Sequence, residues 1–200
     1  VPCYASVEEL PEPVDLAVIC IPARFVPSTL EALGKMGTPY AAVITAGFKE
    51  IGDEGLQMEK KLVEIAKKYD IRLVGPNILG IIDTITPINA SFADQSPIKG
   101  NIAFLSQSGA LLTGILDWSR AEGIGYSSFI SIGNKADLDE TDFIEALADD
   151  EHTTAIMAYL ESINRGNEFV RICKQVTRKK PVIVIKSGRS EAGSKAASSH

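Results

Sequence analysis

The chain is sparing with the residues that usually announce a site. Its 200 residues include two histidines, three cysteines, three methionines and one tryptophan. Cys3, Cys20 and Cys173 are odd in number and lack metal-ligand spacing, so neither a zinc module nor a closed disulfide framework is expected. Cys20 falls in an apolar run and Cys173 in a helical pattern, and both read as small core residues. Three free thiols suit a reducing compartment, so a cytoplasmic location is expected. No apolar run approaches the ~18 residues of a spanning helix, and no signal-peptide pattern opens the chain. Lys and Arg number 20 against 26 Asp and Glu, a net charge of −6. That balance provides no basic face for nucleic acid. There is no Gly-x-Gly-x-x-Gly fingerprint and no Walker sequence. No metal site is expected.

What is present is an ordinary globular composition, 45% hydrophobic and 23% charged, with strand and helix patterns in alternation. Residues 16–21, 41–45 and 71–74 read as apolar strands. Helical patterns occupy 25–36 and 54–69, the latter with Met58, Leu62, Ile65 and Tyr69 on one face. Residues 84–100, with Pro87, Pro97 and Gly100, read as a connection. The alternation then resumes, with strands at 101–105, 126–132, 154–160 and 181–186 and helices at 110–121, 139–148 and 168–177. Continuous apolar strands between helices indicate parallel sheets covered on both faces. Two α/β units are expected, residues 1–97 and 98–200. The first is short for a doubly wound domain, and a missing N-terminal strand with its glycine turn accounts for that. Opening on Val1 and closing on His200, the chain reads as truncated at both ends.

Open α/β sheets bind ligands at the carboxyl ends of their strands, and small or polar residues collect there. Ser106-Gln-Ser-Gly-Ala110 joins a strand to a helix, where free amides and the helix dipole favour phosphate. A plain capped turn, with Ser106 or Ser108 bonded to helix amides, accounts for it equally. In Gly133-Asn-Lys-Ala-Asp137, Gly133 and Asn134 suit a tight turn, with Asp139 or Thr141 capping the next helix; Lys135 reads either as functional or as a solvated charge. Glu161 ends a strand at the same edge, beside a Gly/Ser/Ala loop that closes on His200. A carboxylate on a neighbouring loop would orient an imidazole and favour its cation. His152 lies at a helix-to-strand junction, the amino edge, and reads as a surface residue. In the first unit Ile21-Pro-Ala23, Ile44-Thr-Ala-Gly47 and Gly75-Pro-Asn-Ile-Leu-Gly80 follow strands in the same way.

These motifs, in this order, resemble the nucleoside-diphosphate-forming acyl-CoA synthetases. The resemblance rests on Val14–Ala23, Gly75–Gly80, Ser106–Ala110, Gly133–Asp137, Tyr159–Glu161 and Lys186–Arg189 through Ser198–His200, and spans nearly the whole chain. It implies a CoA-binding Rossmann-type domain, its N-terminal part missing, followed by a flavodoxin-like domain. It implies that His200 carries a phosphoryl group, that Glu161 orients His200, and that Ser106, Gln107, Ser108, Gly109 and Ala110 cradle phosphate. Pro22, Ala23, Thr45 and Asn77 fall where the family contacts CoA. Acyl-CoA, phosphate and ADP are the implied reactants, and Ala46, where the succinate branch usually has Glu, points to the acetyl type. An ATP-grasp β-subunit or fused region, outside this sequence, would hold ADP or ATP with Mg2+, and an oligomer is expected. A regulatory CoA-ligase-like module of a protein acetyltransferase is the alternative.

Overall fold

Short apolar runs separated by amphipathic helices become two sheets in the computed structural model, which describes residues 2–188. The first compact unit runs to Ile78 and takes in Asn134–Leu138; the second comprises Leu79–Gly133 and continues from Asp139.

In the first unit β1 (Leu16–Ile19), β2 (Tyr40–Val43) and β3 (Arg72–Val74) pair in parallel in that order. α1 (Val26–Met36) and α2 (Asp53–Tyr69) make the crossovers. Leu30, Leu33, Leu62 and Ala66 of the helices close over Ala17, Ile19, Ala41, Val43 and Leu73 of the sheet. Strand side chains alternate between faces, so Leu16 and Val18 of β1 point away from this core and are exposed. Cys20 continues the outward series and is exposed, which corrects its expected place in the core; Cys173 is half-buried.

Gly133 and Asn134 form the expected turn, and Asn134–Leu138 belongs to the first unit. The segment lies along β3: Asn134 N–H donates to the Pro76 carbonyl (2.9 Å), Ala136 N–H to Gly75 (2.9 Å) and Leu138 N–H to Leu73 (3.1 Å). Asp137 accepts from Leu73 N–H at 2.8 Å and pairs with Arg72 at 3.0 Å. These bonds satisfy backbone groups that an open strand edge would leave bare. Lys135, at φ 57°, is only 4% exposed, so it is not a solvated charge.

The second unit has β4 (Gly80–Asp83), β5 (Ile88–Ser91), β6 (Ile98–Ser106), β7 (Gly125–Ser131), β8 (Ala155–Leu160) and β9 (Val182–Lys186), in the order β5-β4-β7-β6-β8-β9. β7, β6, β8 and β9 are parallel, the flavodoxin-like pattern. β4 runs antiparallel to both β5 and β7. The stretch expected to be a connection is therefore a hairpin plus the start of β6, and the compact units divide at Ile78/Leu79. The turn signals were real: Asp83 Oδ1 accepts from Ile85 N–H at 2.8 Å. They punctuate a hairpin instead of a linker. α3 (Gly109–Ala121) covers one face through Leu112 and Leu116, packed on Phe104, Tyr126 and Phe129. α4 (Glu140–Leu147) and α5 (Gly166–Val176) cover the other through Ile144, Leu147, Ile172 and Val176.

Asp139 caps α4 in a reciprocal box with Asp142, accepting from Thr141 N–H at 2.8 Å. Arg165, at the start of α5, grips Asp139 with two bonds (2.7 and 2.6 Å) and Asp142 with a third (2.5 Å). Burial pushes the Asp139 carboxyl up, but the Arg165 guanidinium and the Thr141 amide pull harder, and the net position is below the ordinary range. A depressed carboxylate stabilises the fold above its unfolded pKa of about 3.9 and loses that contribution as pH falls through the folded value. Arg165→Met should therefore cost about 1–3 kcal/mol at neutral pH, less than a fully buried pair because Arg165 is a third exposed. In urea titrations the deficit should shrink steadily below about pH 4.

Candidate functional site

The carboxyl edge of the second sheet begins with Ser106, fully buried at the end of β6. Its Oγ donates to the Ser108 carbonyl (2.7 Å) and accepts from Ser108 N–H (3.2 Å), folding the turn tightly. Ser108 Oγ caps α3 by accepting from Leu111 N–H at 3.3 Å. Among the described residues, the amides of Gly109 and Ala110 make no hydrogen bond. Two adjacent donors at the positive end of a 13-residue helix suit an anion.

Gln107 is placed differently from its neighbours. Its N–H donates to the Tyr159 carbonyl at 3.0 Å. Its Oε1 accepts from Glu161 N–H (2.9 Å) and Ser162 N–H (3.1 Å), and its Nε2 donates to Ser162 Oγ (3.2 Å). The side chain is thus committed to the end of β8. From the other side Lys186, the last residue of β9, donates through Nζ to the Glu161 carbonyl at 2.8 Å and to the Ser187 carbonyl. Neither contact follows from the sequence pattern; the only signal was a polar side chain at the end of each apolar run. Glu161 itself is half-buried. His200 lies outside the described residues, and His152 is exposed.

In the first unit the ends of β1, β2 and β3 are linked to one another. Thr45 Oγ1 donates to the Ile21 carbonyl at 2.7 Å, just ahead of Pro22 and Ala23. The Thr45 carbonyl accepts from Asn77 N–H at 3.0 Å. Gly47, at φ 105°, brings its backbone against Ala23, where an added Cβ would stand 3.1 Å from the Ala23 Cβ. Pro22, Ala23, Thr45 and Asn77 therefore share one sheet edge.

Beside Thr45 lies a cluster the sequence did not reveal. Asn134 Nδ2 donates to Glu50 Oε2 (2.7 Å) and to Glu59 Oε2 (2.8 Å), while Asn77 Nδ2 donates to Asn134 Oδ1 (3.4 Å). Lys49 Nζ lies 3.5 Å from Glu59 and bonds the Asn134 carbonyl. Burial pushes the Glu50 carboxyl up, but the Asn134 amide and the Gly47 and Phe48 N–H groups bring it below its ordinary range. One amide thus holds two carboxylates and the loop after β2. Residues 84 positions apart make this contact, so no local pattern encodes it.

Comparison with known proteins agrees with this architecture. Residues 1–84 match the CoA binding domain model, and residues 99–200 match the succinyl-CoA ligase like flavodoxin domain. The chain belongs to the nucleoside-diphosphate-forming acyl-CoA synthetases. It is 52% identical to acetate–CoA ligase (ADP-forming) I of Archaeoglobus fulgidus, over 100% of this chain and 29% of that protein. It is 51% identical to the α subunit of acetate–CoA ligase (ADP-forming) II of Pyrococcus furiosus, over 100% of this chain and 44% of that subunit. A solved structure of acetyl-coenzyme A synthetase 1 from Ca. Korarchaeum cryptofilum, in complex with phosphate and ADP, superposes with a TM-score of 0.95 at 43% identity, over 100% of this chain and 43% of that one. The chain thus spans less than half the length of these relatives.

The Asn134 cluster yields a test. Asn134→Ala leaves buried Glu59 with one donor fewer and returns the Glu50 carboxyl towards its ordinary value. The expected loss is about 1–3 kcal/mol of stability at neutral pH in denaturant titration. Glu50's share should be present above its unfolded pKa of about 4.3 and lost as pH falls through its folded value, so the deficit should narrow in acid.

Proposed function

We propose that this chain is the CoA-binding and phosphoryl-carrying part of an ADP-forming, acetyl-type acyl-CoA synthetase. The observation that carries the reading is the paired open amides of Gly109 and Ala110 at the start of α3, on the same edge as Glu161. Acyl-CoA and phosphate would exchange to give acyl phosphate and free CoA. A neutral nitrogen of His200 would then attack phosphorus, the acyl oxygen leaving as carboxylate, and the phosphoryl group would pass to ADP. Glu161 would hold the other imidazole nitrogen and raise the basicity of the attacking one. The α3 amides would bind the transferring phosphoryl oxygens without reorganising. Ser106 and Ser108 would keep the turn shaped for that task, and the edge carrying Pro22, Ala23, Thr45 and Asn77 would take CoA.

The reaction needs a nucleotide site, which we assign to an ATP-grasp β-subunit or fused region together with its Mg2+. Among the described residues no group of three or more His, Cys, Asp or Glu side chains is placed to hold a metal ion, and no step proposed for these residues uses one. No helix among them is long and apolar enough to cross a membrane. With three free thiols, the reading keeps a cytoplasmic, oligomeric enzyme.

The test uses the complete ligase supplied with acyl-CoA, labelled phosphate and ADP. An acid-labile label should map to His200. His200→Ala should abolish both label and ATP synthesis, a loss of about 100-fold or more. Retention of synthesis by that variant would overturn the reading.

A further inference from the structure

β8 ends at Leu160, paired with Lys186 of β9, and Ser106 of β6 pairs with Tyr159. Glu161 therefore lies beyond the last strand pair on both sides, where its backbone would ordinarily turn to solvent or drift. It does neither. Its N–H is held by Gln107 Oε1 at 2.9 Å from the β6 side, and its carbonyl by Lys186 Nζ at 2.8 Å from the β9 side. Gln107 adds two bonds to Ser162, the next residue. Two side chains thus extend the sheet by one residue at the position that carries the acid.

Lys186 is unusual for an ammonium in such a place. Its acceptors are the main-chain carbonyls of Glu161 and Ser187, and among the described residues no carboxylate forms an ion pair with it. An ammonium has three N–H donors, and a side chain used only for solubility would point outward. Here the charge is turned inward onto the backbone of Glu161. Charge-assisted bonds of this kind are stronger than neutral ones.

We infer that Gln107 and Lys186 are positioning residues for the phosphoryl-transfer step, acting through Glu161 by fixing its main chain from both sides. This rests on the phosphocarrier reading above. The inference revises the role expected for Gln107, whose side chain serves the acid and not the phosphate. A carboxylate that must orient an imidazole tolerates little displacement, and errors near 1 Å can cost about 100-fold.

The test is a mutant cycle in the complete ligase. Lys186→Met and Gln107→Leu should each lower kcat and the rate of histidine phosphorylation about 10-fold or more, with KM for CoA within about twofold of wild type. Lys186→Arg, which keeps charge-assisted donors, should recover most of the rate and guards against a simple folding defect. In a Glu161→Gln background, Lys186→Met should add less than about twofold, because its route of action is already cut. Additive losses in that background, or wild-type phosphorylation rates in both single variants, would overturn the inference. His200→Ala run alongside separates the two claims. If it retains activity, the phosphocarrier reading fails; if it is inactive while Lys186→Met is normal, only the positioning role fails.

Discussion

Gln107 holds the ends of β6 and β8 together with one amide side chain, and the geometry of the second sheet's carboxyl edge depends on it. Parallel strands that stop at one level leave backbone groups unpaired. Water can satisfy them, but then the loops are free to wander. Gln107 satisfies Glu161 and Ser162 from one side, and Lys186 satisfies the Glu161 carbonyl from the other. Ser106 and Ser108 do the same for the turn into α3. In that turn the Gly109 and Ala110 amides make no hydrogen bond among the described residues and stay open for an anion.

The first unit solves the same problem with different groups. Thr45 reaches the Ile21 carbonyl, Asn77 reaches Thr45, and Asn134 gathers Glu50 and Glu59. In each unit the bonds run between strand ends far apart in sequence. Rigid strand ends with a few open donors are what ligand binding at a sheet edge requires, because preorganised donors lose little freedom when they are used.

The alternation of apolar runs and amphipathic helices made most elements legible. Strand 16–21 and helix 54–69 were placed within a few residues of β1 and α2 because periodicity is local. The hairpin of β4 and β5 was missed because Pro87 and Pro97 signal a break without saying what lies on either side. Cys20 was misplaced because an apolar run does not reveal which face of a strand is covered. The turn at Gly133 and Asn134 was legible because it is local, whereas the bonds of Asn134–Leu138 to the β3 region, about sixty residues away in sequence, have no local signal. Gln107 and Lys186 were visible as polar residues at strand ends, and the clamp they form exists only once β6, β8 and β9 are neighbours.

The most direct measurement is a structure of the protein with phosphate bound. Phosphate should sit at the start of α3, accepting from the Gly109 and Ala110 amides, with the Gln107 and Lys186 bonds to Glu161 intact. A phosphate bound by the Gln107 side chain, or seated away from the α3 amides, would contradict that placement.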